Sequence, residues 1–282
     1  MPPRFLHGLS EIADDYDALL CDAWGVIHNG ISLFDGVAEA LVSFRERRGP
    51  VVILTNAPRP SSVIPAQLDR IGLPRRAYDG VVTSGDATRA AIENLLPRTV
   101  FRLGPDKDDS LYAGLAVDFA PIEAAGFIVC TGLFNDESET PADYADLLGV
   151  ATARKLPMVC ANPDIVVRWG DRLIYCAGAI AEAYEQRGGE VVYGGKPHAP
   201  IYKLACARLE TAAGRPLDRR RILAIGDGVK TDIAGAERNG FRSLFVAGAG
   251  GVHQGAADEA SIAQSLGRAG VRADFSATGL VW

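Results

Sequence analysis

The chain alternates short apolar segments with amphipathic ones over most of its length. The apolar segments are rich in Val, Ile and Leu, and most lack a polar alternation, which is typical of strands buried on both faces of a parallel sheet. They cover residues 18–26, 50–56, 80–85, 99–104, 125–132, 157–163, 173–178, 191–196, 221–227 and 242–247. We predict a strand in each of these segments.

The amphipathic stretches between these segments predict helices. The segment 36–48 carries apolar residues at the i, i+4, i+7 spacing of a helix, with Asp35 as a candidate N-cap. Pro200 suits the first turn of another helix that continues through Leu209. Strands that alternate with helices in this way predict an α/β fold with a doubly wound, mostly parallel sheet.

Composition and charge narrow the classes of protein that fit this pattern. The 282 residues are 48% hydrophobic and 23% charged, which is typical of a folded globular chain. The net charge of −6 argues against a nucleic acid or an anionic membrane as partner, but it is compatible with a small anion at a locally positive site. Five widely spaced cysteines without a CxxC pair argue against a zinc, redox or disulfide framework.

The expected location follows from two further features of the sequence. The N-terminal segment carries acidic residues where a signal peptide needs an apolar core. No window of about 18 apolar residues is present that could span a membrane. We therefore expect a cytoplasmic protein without a membrane partner.

Polar residues follow several of the predicted strands, at the edge of a parallel sheet where ligands bind. They are Asp22, Thr55 with Asn56, Lys196 in Gly195–Lys196–Pro197, and Asp227 with Asp232 in the following turn. Carboxylates of this kind are ligands for Mg²⁺, and an ammonium and a hydroxyl neutralise and hydrogen-bond phosphate oxygens. An Asp carboxylate beside the metal can attack phosphorus.

Four sequence motifs at these positions resemble those of the haloacid dehalogenase-like (HAD) superfamily. They are DAWGV (22–26), TN (55–56), GKP (195–197) and GDGVKTD (226–232). The resemblance extends over nearly the whole chain. It implies a Rossmann-like core and hydrolysis of a small phosphomonoester through an aspartyl-phosphate intermediate.

The resemblance also implies a role for each matched residue. Asp22 would be the nucleophile, Thr55 and Lys196 would bind the phosphate, and Asn56 would orient the nucleophile or the phosphate.

A Mg²⁺ cofactor is part of the same implication. Asp22, Asp227 and the backbone carbonyl of Trp24 would ligate the metal, and Asp232 would support the ligands or the local structure.

The spacing of the motifs indicates where a cap domain is inserted. The 33 positions from Asp22 to Thr55 are too few for one, whereas the 141 from Thr55 to Lys196 leave room. This placement, together with TSGDAT (83–88), ANPD (161–164) and AGAIAEAYEQRG (177–188), resembles the class IIA, NagD-like group.

Members of that group are mostly sugar-phosphate, nucleotide, pyridoxal-phosphate and small aryl-phosphate phosphatases. We therefore expect a core of residues 1–86 and 178–282, and an α/β cap of residues 87–177 that closes over a small phosphorylated metabolite. Candidate cap contacts lie in 133–138 and 161–164. A homodimer is left open.

One position departs from the family pattern. HAD phosphatases usually carry a second Asp two residues after the nucleophile, which protonates the leaving alkoxide and then activates water, and here that residue is Trp24. Metal ligation by a backbone carbonyl would survive, but general acid–base catalysis, typically worth about 10²–10⁴-fold, would be lost. Trp24 could also simply pack at the junction between cap and core.

This departure leaves alternatives open. The chain could bind phosphorylated ligands with little turnover, as a binding protein on an enzyme fold. Haloacid dehalogenases place an aromatic residue at the same point, but their fourth motif lacks the acidic metal ligand, whereas this chain keeps Asp227 and Asp232. Phosphonate-cleaving members insert their cap after the first motif, where this chain is too short.

Three residues are candidates for a replacement acid. His28 lies in the loop after the nucleophile, and the ordinary imidazole pKa of about 6.5 suits proton transfer. Asp164 in ANPD and His198 beside Lys196 are the others. Each also has a structural reading, as a loop residue or, for His198, as a residue near a helix N-terminus.

Overall fold

Strands and helices alternate along the chain in the computed structural model, which describes residues 2–169, 172–248 and 258–282. The strands are β1 (Arg4–Phe5), β2 (Ala18–Cys21), β3 (Val51–Thr55), β4 (Gly80–Thr83), β5 (Val100–Leu103), β6 (Phe127–Cys130), β7 (Met158–Cys160), β8 (Val166–Trp169), β9 (Arg172–Tyr175), β10 (Val191–Tyr193), β11 (Ile222–Gly226), β12 (Arg242–Val246) and β13 (Phe275–Ala277). The helices are α1 (Val37–Arg47), α2 (Ile64–Ile71), α3 (Ser84–Glu93), α4 (Ala145–Ala153), α5 (Ala177–Glu185), α6 (Ala199–Ala213), α7 (Ala234–Asn239) and α8 (Glu259–Ala269). The predicted α/β class is confirmed.

A seven-stranded parallel sheet contains β2 at its switch point. Its order is β1-β13-β12-β11-β2-β3-β4, and every neighbouring pair is parallel. The chain builds outward from β2 in one direction through β3 and β4, and later in the other direction through β11, β12 and β13. The carboxyl ends of β11, β2 and β3 therefore meet where the winding reverses, which is where open α/β sheets bind ligands.

Alternate residues of the central strands pack on the two faces of this sheet. On one face, Leu19 and Ile53 share an apolar cluster with Phe44 of α1. On the other face, Leu20 shares a second cluster with Ile201 of α6. Because both faces are covered by helices, these strands are apolar throughout, as their sequences predicted.

The helix starts agree only in part with the sequence. Pro200 lies in the first turn of α6, as predicted. Asp35 is not the N-cap of α1, because Gly36 takes that position with a φ of +76° and no side chain caps the helix. The left-handed conformation at Gly36 turns the chain into the helix one residue later than expected.

A second, four-stranded parallel sheet lies in the sequence between β4 and β11. Its order is β10-β7-β6-β5, and β8 and β9 form a separate antiparallel hairpin. The segment 173–178, expected to be a strand of the parallel kind, instead supplies β9 of this hairpin. Of its four strand residues only Ile174 is buried.

The second sheet extends past residue 177, where the sequence placed the end of the cap. Residues Val191–Tyr193 pair with Met158–Cys160, so β10 belongs with the second sheet. The segment 191–196 falls within the expected core, 178–282, and it ends in the Lys196 motif that the resemblance assigns to the core. Sheet membership favours an insert that reaches Tyr193.

Within the described parts of the chain, no helix combines the length and the apolar character that crossing a bilayer requires.

Candidate active site

Three of the predicted site residues lie at the ends of adjacent strands. Asp22 directly follows β2, Thr55 is the last residue of β3, and Asp227 directly follows β11. The register pairs Cys21 of β2 with Ile53 of β3 and with Ile225 of β11, so the three strand ends lie side by side. All three polar side chains are buried at this edge.

Lys196 joins this edge from the loop after β10. Its side chain is 3% exposed, and Nζ donates to Asp22 Oδ1 at 2.7 Å and to Asp232 Oδ1 at 2.6 Å. Burial alone would lower the pKa of Lys196, but the carboxylates of Asp22 and Asp232 raise it well above its ordinary value. The ammonium therefore stays charged at neutral pH.

Asn56 fixes the backbone beside Lys196. The backbone N–H of Lys196 donates to Asn56 Oδ1 at 2.7 Å, and Asn56 Nδ2 lies 3.3 Å from the Lys196 carbonyl oxygen. Asn56 Nδ2 also donates to Asp164 Oδ1 at 2.9 Å. Its contacts thus hold the Lys196 loop and Asp164, and the orientation of the nucleophile or phosphate by Asn56 stays a prediction.

Asp22, Asp227 and Asp232 form a buried carboxylate cluster. Their ligand oxygens lie within 4.8 Å of one another, and Asp232 Oδ2 accepts the Gly228 N–H at 3.0 Å. Burial raises the pKa of Asp22 well above its usual range, Asp232 adds to this, and Lys196 opposes it. Three carboxylates against one ammonium leave an excess of negative charge, which suits a hard divalent cation with oxygen ligands.

Gly25 brings the first motif close to Asp227. Its φ is +78°, and a Cβ at this position would lie 2.2 Å from Asp227 Oδ2. A side chain here would meet both backbone strain and a steric clash. The backbone next to Trp24 therefore approaches the carboxylate cluster, as required if the Trp24 carbonyl is to be a metal ligand, a role that stays a prediction.

The Trp24 side chain lies between the seven-stranded sheet and the β8–β9 hairpin. Its ring packs edge-on against His28 at 5.0 Å and is 6.2 Å from the ring of Trp169 in β8. A Cβ at Gly30 would lie 2.5 Å from the Trp24 ring, so the loop closes tightly beneath it. Trp24 therefore packs at the junction between the part of the chain that forms the seven-stranded sheet and the β8–β9 hairpin.

The three candidate replacement acids occupy different surroundings. His28 is 1% exposed, its Nδ1 accepts the Gly30 N–H, and burial lowers its pKa to about 4, so it is a neutral support for Trp24. His198 stacks on Tyr193 at 4.8 Å, and burial lowers its pKa. Asp164 alone of the three lines the cavity above Asp22, and burial raises its pKa to about 6.

The cavity above Asp22 has a volume of about 470 Å³ and is lined by both parts of the chain. Asp22, Thr55 and Asn56 lie on the side of the seven-stranded sheet. From the expected cap segments, Leu133 and Asp136, and Asn162 and Asp164, line the other side. The two segments named from the sequence, 133–138 and 161–164, therefore do face this cavity.

Several further residues of the cavity wall had no signal in the sequence analysis. Arg59 lies shortly after Asn56, and its Nε is 3.7 Å from Asp108 Oδ1, whose carboxyl has a pKa raised to about 6 by burial. Trp169 and Tyr175 come from the hairpin. Proximity to the second motif could have singled out Arg59, but nothing in the local sequence distinguishes the other three.

Comparisons with known proteins agree with this geometry. A model of haloacid dehalogenase-like hydrolases matches residues 19–117, and a HAD-hydrolase-like model matches residues 193–269. A solved hydrolase of the haloacid dehalogenase-like family from Brucella suis 1330 is 42% identical, with a TM-score of 0.88 over 100% of both chains. The chain belongs to the haloacid dehalogenase-like family. The resemblance inferred from the four motifs is confirmed.

Phosphatases are among the relatives of this HAD-like hydrolase. D-glycerol 3-phosphate phosphatase of Mycobacterium tuberculosis (strain ATCC 25618 / H37Rv) is 26% identical over 245 residues, 84% of this chain. This chain matches 65% of that relative's length. A solved glycerol phosphate phosphatase from Mycobacterium tuberculosis, in complex with magnesium, is 25% identical, with a TM-score of 0.63 over 86% of this chain and 70% of that one.

Proposed function

We propose that this HAD-like hydrolase cleaves a small phosphomonoester through an aspartyl-phosphate at Asp22. The observation that carries the proposal is the buried contact of Lys196 Nζ with Asp22 Oδ1, next to the carboxylate cluster and beneath the cavity. An ammonium at this position neutralises phosphate oxygens, and an adjacent carboxylate is placed to attack phosphorus. The phosphatase relatives support the same reaction class.

The donor set suits Mg²⁺ as the cofactor. Asp22, Asp227 and the backbone carbonyl of Trp24 would hold the ion, and Asp232 lies in the same carboxylate cluster. A bound Mg²⁺ supplies positive charge that offsets the carboxylate repulsion and polarises the phosphoryl group. The magnesium complex of the mycobacterial relative supports this choice.

The residues of this chain would divide the reaction between them. A carboxylate oxygen of Asp22 forms a bond to phosphorus while the bond from phosphorus to the leaving oxygen breaks. Lys196 and Thr55 bind the phosphate oxygens, and Asn56 keeps the Lys196 loop in place. Water then attacks phosphorus, which releases inorganic phosphate and frees Asp22.

The cavity supports a small metabolite as the substrate. Its volume of about 470 Å³ lies within the range of roughly 300–1,000 Å³ common for small-ligand sites. A sugar phosphate, a nucleotide or a similar compound would suit it. The insertion of the second sheet between Thr55 and Lys196 supports the class IIA, NagD-like grouping.

Phosphate release from a panel of phosphomonoesters, with and without Mg²⁺, tests the proposal. We expect turnover that depends on Mg²⁺ and that Asp22→Asn abolishes, while Asp146→Asn on the exposed surface of α4 keeps it. Persistent activity in Asp22→Asn would overturn the role of Asp22. Metal-independent halide release would instead support the dehalogenase alternative, and binding of phosphorylated compounds without turnover the binding-protein alternative.

A further inference from the structure

The loss of an alkoxide leaving group requires a proton donor that the first motif of this chain does not supply. Near Asp22, the indole of Trp24 has an N–H but no group that ionises near neutral pH. Asp232 is ion-paired with Lys196, and Asp227 belongs to the carboxylate cluster that suits a cation. The proton for the leaving group would therefore have to come from another part of the cavity wall.

We propose that Asp164 donates this proton and later accepts a proton from the attacking water. The inference rests on the proposed phosphatase function and adds a catalytic residue to it. In the first step, the bond from Asp22 to phosphorus forms, the bond to the leaving oxygen breaks, and the Asp164 proton passes to that oxygen. In the second step, water attacks phosphorus, its proton passes to the Asp164 carboxylate, and the bond to Asp22 breaks.

The location of Asp164 carries the inference. It lines the large cavity together with Asp22, and it also lines the smaller adjoining cavity that Asp22 shares with Asp227 and Asp232. Of the carboxyl groups contributed by the insert, among the described residues, it is the one that borders both cavities. It therefore borders the space around Asp22 from the insert, and a leaving group held in the large cavity would lie next to it.

The contacts of Asp164 hold it in place. Oδ1 accepts the Asn56 amide at 2.9 Å, and the same Asn56 fixes the backbone of Lys196. The backbone of the loop is packed against α5, because a Cβ at Gly178 would lie 2.5 Å from the Asp164 carbonyl oxygen. Asn56 thus links the proposed proton donor to the phosphate-binding lysine.

The charges around Asp164 suit a group that both gives and takes a proton. Burial raises its pKa to about 6, Asp232 acts in the same direction, and Lys196 and the Asn56 amide lower it. The buried thiol of Cys176 also faces it. Both protonation states are therefore populated near neutral pH, as a residue with two successive roles requires.

Asp108 provides a matched comparison within the same cavity. Burial also raises the pKa of Asp108 to about 6. However, Asp108 faces Arg59, and it lines the large cavity but not the small one. Removing the Asp108 carboxyl therefore controls for the loss of a buried acid of similar pKa that does not border the small cavity beside Asp22.

The test compares two substrates whose leaving groups differ in their need for a proton. p-Nitrophenolate leaves without protonation, whereas the alkoxide of glycerol phosphate does not. We expect Asp164→Asn to lower kcat/KM for glycerol phosphate by about 100-fold or more, and for p-nitrophenyl phosphate by less than about tenfold. Asp108→Asn should change both values by a similar factor.

A pH series provides a readout that a purely structural role would not move. In wild type, kcat/KM for glycerol phosphate should fall as pH rises above about 6, relative to p-nitrophenyl phosphate, because the protonated donor is lost. This relative fall should disappear in Asp164→Asn. Asp164→Glu should restore part of the activity on glycerol phosphate, and Trp24→Asp added to Asp164→Asn should do the same.

Different results overturn the two proposals. Equal losses on both substrates in Asp164→Asn, or an unchanged relative pH profile, would overturn the role of Asp164 and leave the phosphatase standing. If wild type releases phosphate from neither substrate in the presence of Mg²⁺, the phosphatase function fails, and the role of Asp164 with it. Should Asp164→Asn fail to fold, Asp164→Glu decides through the ratio of kcat/KM for glycerol phosphate to kcat/KM for p-nitrophenyl phosphate. Because the longer side chain displaces the proton donor, this ratio should fall below that of wild type, and an unchanged ratio would overturn the role of Asp164.

Discussion

At the residue scale, the role of Asp232 shows how local geometry decides what a side chain does. The spacing from Asp227 to Asp232 resembles a turn followed by a helix start, and the family resemblance gave Asp232 a supporting role. In the structure, residues Val229–Ile233 form a π-helical turn, in which the Ile233 N–H donates to the Gly228 carbonyl. This turn brings Asp232 into contact with Lys196, which also contacts Asp22.

The sequence predicted that Asp22, Thr55 and Asp227 lie together because strand ends in a parallel sheet converge, whereas it singled out Lys196, in the loop after β10, by its motif. It could not place Asp232 as closely, because π-helical turns are rare and have no sequence signature. The same holds for His28, whose burial and low pKa depend on the loop that closes over it. The positions of residues at the strand ends were therefore predictable from the pattern alone, whereas residues in irregular loops needed a motif, as Lys196 has, or could not be placed.

Gly25→Ala tests the close approach of the first motif to Asp227. We expect it to reduce Mg²⁺-dependent activity strongly and to destabilise the fold by more than the roughly 1–2 kcal/mol of left-handed strain, since the new Cβ would enter the Asp227 carboxylate. Urea unfolding and the Mg²⁺ dependence of turnover measure the two effects.

Gly240→Ala is the matched control for strain alone. Gly240 has the same φ of +78°, but a Cβ there would meet nothing within 4 Å. It should lose only the stability due to strain and keep its activity. Similar behaviour of the two variants would contradict the importance of the contact with Asp227.

At the scale of elements, the β8–β9 hairpin is the part that the hydrophobic pattern described least well. The apolar segment 173–178 resembles the buried strands around it, yet Leu173 and Tyr175 are exposed, and Ile174, Tyr175 and Cys176 line the cavity. The hydrophobic pattern alone cannot distinguish a strand that is buried in a sheet from a strand whose apolar side chains face a ligand cavity. Large apolar side chains exposed beside a cavity therefore point to ligand contact.

Trp169 on this hairpin should contribute to the binding of leaving groups with an aromatic ring. It is 47% exposed, lines the cavity and lies next to Trp24, with 6.2 Å between the two rings. We expect Trp169→Ala to raise KM for phenyl phosphate by about tenfold, in line with about 0.5–1.5 kcal/mol for an aromatic pair beyond its buried area. Trp169→Phe should retain most of the binding, as measured by initial rates.

Leu173→Ala is the control for this prediction. Leu173 is 44% exposed on the same hairpin but is not among the described residues that line the cavity. Its removal should leave KM unchanged. An equal effect of both variants would indicate that the hairpin acts through its overall stability and not through contact with the substrate.

At the scale of the whole molecule, the site is complete only where the seven-stranded sheet and the insert meet. The sequence predicted an insert between Thr55 and Lys196, but its end and its inward-facing residues depend on how two sheets pack. Val191–Tyr193 joined the second sheet although its segment ends in a motif of the first. Asp108 and Arg59 are 49 residues apart in the sequence, and the fold brings them within 3.7 Å of each other in the cavity wall.

Binding of Mg²⁺ should stabilise the whole fold, because the cation would relieve the excess negative charge of a buried cluster that joins both halves of the main sheet. At a concentration 100 times its Kd, a ligand that binds only the folded state adds about 2.7 kcal/mol. We expect the unfolding temperature to rise with Mg²⁺, as followed by circular dichroism. Asp227→Asn should abolish this rise, whereas Asp108→Asn, in the same cavity but outside the cluster, should keep it. A rise of equal size in both variants would mean that the ion binds elsewhere, and the carboxylate cluster would then lose its assignment as the metal site.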